Sequence, residues 1–134
     1  FNGDYIPEHL MTKEFLQETK SLLTNNGILS ANTFSLSKLY AHESATYKAV
    51  FGDFYQVSNQ YNANRIIIVN QNGFTADSLN KNNIKQLNTK LSKYGVDIYS
   101  LYNNINFTGT GQNWPKNTRL LTDQFSPVNL LNTQ

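Results

Sequence analysis

Few places in this chain bring together acids, hydroxyls or imidazoles that could do chemistry. Asp4 stands in the acidic loop Gly3-Asp4-Tyr5-Ile6-Pro7-Glu8, just ahead of a helical stretch. A carboxylate there can cap the first turns of the helix. Asp123 stands in Leu121-Thr-Asp-Gln-Phe-Ser-Pro127, where its side chain can bond its own backbone in a turn. Tyr61, in Asn59-Gln-Tyr-Asn-Ala-Asn64, is an aromatic set in a polar loop. His9 and His42 are far apart, each beside a glutamate. Adjacent residues on a helix do not share a face, so neither His-Glu pair builds a metal site. Ser30, Ser44 and Ser126 lack a G-x-S-x-G setting and a His/Asp partner, which leaves hydrolase chemistry without support. Gly109-Thr-Gly111 does not sit between a strand and a helix and reads as a loop, not a phosphate cradle. The absence of cysteine excludes disulfides and thiolate metal sites.

Composition narrows the classes further. The 134 residues suffice for one domain, 1–134, with one modest core. Hydrophobic residues make up 39% and charged residues only 15%, so uncharged amides and hydroxyls must form much of the surface. A net charge of +2, with scattered lysines and no basic run, implies neither nucleic acid nor an anionic membrane as partner. No apolar run approaches the length of a membrane span. The cytoplasm is the default location.

The elements that must position these residues follow from periodicity. Leu10, Phe15, Leu16, Leu22 and Leu23 recur at helical spacing, which predicts a helix near 10–24 with Thr12 as N-cap or an earlier start of the turn at Pro7 to His9. Gly27 suits a left-handed cap at its end. Ile28 to Phe34 reads as a strand. A second helix near 37–51 starts from Ser35 to Ser37, with Leu39, Tyr40, Tyr47 and Val50 inward. Strands follow near 54–58 and 65–70, expected to pair antiparallel. Arg65-Ile-Ile-Ile-Val69 is a continuous β-branched run, which predicts a central strand covered on both faces. Asn72-Gly73 signals a turn. A third helix, near 77–93, has Thr75 or Asp77 as cap, Leu79, Ile84, Leu87 and Leu91 inward, and Tyr94-Gly95 as its stop. Asp97 to Asn104 can form another short helix. Beyond Asn106 the chain reads as a loop-like tail anchored by Trp114, Phe125, Val128 and Leu130.

Three segments carry a family resemblance. GDYIPEHLMTKEFLQETKSLLTNNGILSANTF resembles the stretch after the fourth sheet strand in the spermidine synthase (polyamine aminopropyltransferase) family, with its acidic loop, Thr-x-Glu-Phe core, Gly and strand. HESATYKAVFGDFYQV is similar to the next helix of that family. LLTDQFSPVNLL resembles the ending of one branch. These segments cover most of 1–58 and 119–131. The resemblance implies an α/β fold: the C-terminal half of an S-adenosylmethionine-methyltransferase-like Rossmann fold, three-layered, with a partial sheet. It also implies a reaction, the transfer of aminopropyl from decarboxylated S-adenosylmethionine to a diamine such as putrescine.

Carried over by position, the second acid of the family's loop matches Asp4, which would bind the diamine. The family's catalytic Asp would precede Phe1, and the Gly-rich donor turn would lie further upstream. Tyr61 matches a substrate-lining Tyr that the family flanks with prolines, both absent here. Asp123 matches a position at the mouth of the active site. The chain is thus expected to be the C-terminal part of something larger, inactive alone, with neither base nor donor site and no cofactor of its own. The free edge of strand 28–34 is expected to seek a second copy or the N-terminal half. Two other readings stay open: a non-catalytic binding or assembly domain derived from the family, and a methyltransferase-like enzyme with another acceptor.

Overall fold

Thr12 opens the first helix, α1 (Lys13–Leu22), with its Oγ1 accepting from the Phe15 amide at 3.3 Å. The computed structural model describes residues 6–58 and 63–126, so Asp4 and Tyr61 lie outside the described residues. After α1 come β1 (Ile28–Phe34), α2 (Tyr40–Phe51), β2 (Tyr55–Ser58), β3 (Asn64–Asn70), α3 (Lys81–Leu91), α4 (Ile98–Asn103) and β4 (Ile105–Phe107). Single 3-10 turns precede α1 and follow α3. No helix among the described residues is long and apolar enough to cross a membrane.

The four strands form one sheet in the order β1-β3-β2-β4, every neighbouring pair antiparallel. Since β1 and β2 both oppose β3, they run parallel to each other. The expected antiparallel pairing of the strands near 54–58 and 65–70 is what the structure has. Strand β4 was read as part of a loop: three residues with Asn106 in the middle are too short to show a period.

Pairing register sorts the side chains onto two faces. Leu29, Ala31, Ile67 and Val69 face α1 and α2, where Leu16, Tyr47, Val50, Phe51 and Phe54 complete the main core. Trp114 closes that core from the tail, its ring stacked on Phe54 at 6.0 Å between centroids. On the other face Tyr55 meets Phe107 at 4.9 Å and Phe74 at 5.0 Å, and its hydroxyl donates to the Thr75 carbonyl at 2.9 Å. The β-branched run of β3 is central, as its composition predicts. Its cover is not equal, however: Arg65, Ile67 and Val69 are buried while Ile66 and Ile68 are half-buried.

Other boundaries differ for local reasons. Residues Thr75 to Ser78 close a small turn, the Ser78 amide on the Thr75 carbonyl at 3.0 Å, so α3 starts later and is capped by Asn80 Oδ1. Of its expected inward residues, Ile84 is buried but Leu87 is exposed. Tyr40 begins α2 later than predicted, because Ser37 spends its hydroxyl on the Leu39 amide in a preceding turn. Gly27 does not adopt a left-handed conformation. A Cβ there would lie 2.9 Å from the Leu23 Cβ, so close approach, not φ, requires the glycine. Gly95 does take the left-handed cap, at φ 77°, where the sequence places the stop.

The most consequential buried group is charged. Arg65, on β3, is 0% exposed, and its Nη2 donates to Glu43 Oε2 on α2 at 2.8 Å. Nε donates to Thr33 Oγ1 at 2.9 Å, and Nη1 to Ser44 Oγ at 2.7 Å and Gln56 Oε1 at 3.5 Å. The guanidinium also lies 4.0 Å from the Tyr40 ring centroid, a cation–π contact. Burial pushes the Glu43 carboxyl up from its ordinary 4.5 to about 7, against the opposing pull of Arg65.

Two predictions follow from this packing. Phe54→Ala empties the centre of the core and is expected to cost about 3–5 kcal/mol in chemical denaturation, whereas Leu22→Ala, 84% exposed, should stay within about 0.5 kcal/mol. The second concerns pH. Folded Glu43 holds its proton more tightly than the unfolded chain does, so this contribution to stability is fully present below about 4.5 and lost as pH rises through about 7. Glu43→Gln should therefore remove that part of the decline in stability expected of the unsubstituted chain between pH 5 and pH 8. Parallel slopes for the two proteins would disprove it.

Candidate functional site at the carboxyl ends of the strands

The parallel course of β1 and β2 brings their carboxyl ends to the same side of the sheet. Phe34 pairs with Asn64, and Ser58 with Arg65. The Ser35 amide extends the ladder onto the Ala63 carbonyl at 2.6 Å. Helix α1 runs back toward the start of β1, so its N-terminus lies at this same end. In open α/β sheets, this is the end at which ligands bind.

A small apolar cluster secures the end. Leu121 is fully buried with Met11 and Leu39, and Ile6 packs against them. The loop before α1, the turn before α2 and the tail are thereby held together. Polar contacts set the tail's register. The Lys13 amide, one of the unpaired donors at the start of α1, bonds the Leu121 carbonyl at 2.8 Å. The Leu121 amide donates to Thr46 Oγ1 at 2.9 Å, and His42 Nδ1 donates to the Arg119 carbonyl at 2.7 Å. Arg119 in turn lies 3.5 Å from the Phe125 ring centroid.

Asp123 emerges in the turn that follows. Thr122 and Phe125 exchange both backbone bonds at 2.9 Å, and Asp123 sits exposed between them, its amide donating to Glu14 Oε2 at 3.1 Å. Two carboxylate side chains, Glu14 and Asp123, thus stand at the start of α1. The nearest described neighbours of the segments bearing the other two candidates, Asp4 and Tyr61, are Ile6, and Ser58 with Ala63. Gly109 to Gly111 form a turn after β4, the Thr110 amide on the Phe107 carbonyl at 3.3 Å, and no described helix follows it. His9 is exposed, and His42 serves the tail contact.

The sequence reading missed Glu14, Glu43, Gln56 and Arg65. One signal was available for Glu43: it falls four residues after Leu39 and four before Tyr47, on the inward stripe of its helix. Arg65 had a signal too, a lone cation at the head of a β-branched run. Nothing in the sequence connects Glu14 with Asp123, which lie far apart along the chain.

With this geometry in view, the chain can be compared with known proteins. No protein-family model matches it. It is 46% identical over 132 residues to a polyamine aminopropyltransferase of Vibrio vulnificus (strain CMCP6), a match that takes in 98% of this chain and 43% of that protein. In fold it is similar to the crystal structure of a probable spermidine synthase from Corynebacterium glutamicum ATCC 13032, with a TM-score of 0.61 and 18% identity over 94% of this chain and 46% of the other. The chain thus spans less than half the length of the relatives it matches. Its sheet and flanking helices correspond to the C-terminal half of a methyltransferase-like Rossmann fold. Sequence and fold together match the chain to the C-terminal part of proteins of the spermidine synthase (polyamine aminopropyltransferase) family.

Proposed function

We propose that this chain supplies the amine-acceptor wall of a spermidine synthase-like aminopropyltransferase, with putrescine or a similar diamine as acceptor and decarboxylated S-adenosylmethionine as donor. The observation that carries the reading is the 46% identity to a polyamine aminopropyltransferase along nearly the whole chain. The convergence of the loop before α1, the strand ends and the acidic tail turn at one end of the sheet supports it. In this reaction a neutral amine nitrogen attacks the carbon beside the sulfonium. The N–C bond forms as the C–S bond breaks, methylthioadenosine leaves as a neutral thioether, and a base takes the amine proton. Amines are mostly protonated near neutral pH, so a carboxylate base is needed, with further acids to hold the cationic far end of the diamine. Asp4 and Asp123 fill that second role in this reading, and Tyr61 lines the site. The base and the Gly-rich donor turn belong to the rest of the protein, and the chain alone has no turnover.

The partner follows from the sheet. The outer edge of β1 has no strand against it among the described residues. Beside it runs an apolar groove of about 160 Å³ lined by Ile6, Leu10, Met11, Phe15, Leu29 and Ala31. An unpaired seven-residue edge above an apolar groove seeks a strand. In this reading the remaining part of the enzyme provides it.

Two experiments test the proposal. Incubated with decarboxylated S-adenosylmethionine and putrescine, the full-length gene product should release methylthioadenosine and residues 1–134 alone should not; release by the isolated chain would refute the division of labour. In the full-length protein, Asp123→Asn should raise KM for the diamine about tenfold or more and leave stability within about 0.5 kcal/mol. An unchanged KM would remove Asp123 from the site.

A further inference from the structure

Arg65 and Glu43 are buried and make no contact with Asp123, yet they tie together elements that build the proposed site. Arg65 holds Thr33 at the carboxyl end of β1, Gln56 on β2, and both Glu43 and Ser44 on α2. The same turns of α2 carry His42 and Thr46, which hold the tail at Arg119 and Leu121. The tail then holds the start of α1 at Lys13, and Glu14 holds Asp123. A continuous chain of short bonds therefore runs from the buried guanidinium to the exposed acid.

A buried ion pair of this kind adds little stability over a well-packed apolar pair. Its contribution is geometric: planar, multiply bonded guanidinium contacts admit one arrangement of α2 against the strand ends. We propose that Arg65 and Glu43 are positioning residues for amine binding, setting α2 and, through it, the tail turn that bears Asp123. The assignment of amine binding rests on the proposed function; the positioning itself does not.

The experiment uses the full-length gene product with Glu43→Gln, and with the double change Glu43→Leu and Arg65→Met. The double variant leaves no buried charge unpaired, so it is expected to fold even where the single one does not. Amide exchange at Leu121 and Asp123 should speed about tenfold in the variants while exchange at Ile67 and Val69 in the core stays near that of the unsubstituted protein. KM for the diamine should rise about tenfold with KM for the sulfonium donor within about twofold. Unchanged exchange at Leu121 and Asp123, or exchange raised equally throughout, overturns the proposal, as does an equal rise in both KM values. If the unsubstituted protein transfers no aminopropyl group, the functional reading fails, and the exchange pattern still decides whether the pair positions the tail.

Discussion

A guanidinium sits with no access to water, and much of the structure is arranged around that fact. Arg65 must find acceptors inside the fold, because a buried charge left unpaired costs several kcal/mol. It finds them on three elements: Thr33 on β1, Gln56 on β2, and Glu43 with Ser44 on α2. Each of these contacts fixes a strand end or a helix turn relative to β3. Thr33 closes the arrangement by donating back to the Arg65 carbonyl at 3.3 Å. The polar end of the sheet is thereby as well specified as the apolar core below it.

The apolar core does a different job at the other end of the same layer. Leu16, Phe51, Phe54 and Val69 clamp α1 and α2 onto the sheet, and Trp114 seals them. Burial of this kind is strong but not directional. Many small rotations of α2 would keep it satisfied. The bonds of Arg65 and those of Thr46 and His42 to the tail select among them. The undirected apolar clamp and the directed polar lock thus divide the work, with the lock toward the carboxyl ends of β1 and β2.

The two lateral edges of the sheet also differ. On the β4 side the last strand is short, and Tyr55, Phe74 and Phe107 cover its base. On the β1 side a seven-residue strand borders an apolar groove, with no strand against its outer edge among the described residues.

Much of this was legible in the residues alone. Helical and β-branched periodicity located β1, β2, β3 and α1 to α4, because those signals depend on neighbours three, four or two positions away. Thr12 and Gly95 marked ends through their own chemistry. Three stretches of local sequence were enough for the family resemblance. The tertiary structure alone decided the rest: that Glu43 serves an arginine and not a histidine beside it, that β3 is buried more deeply on one face, that three residues around Asn106 become a strand, and that Asp123 lies against Glu14. Each of these depends on which distant segments meet. A single chain records its local preferences in its order of residues, whereas the partner that satisfies a buried charge or an edge hydrogen bond is settled only when the elements pack.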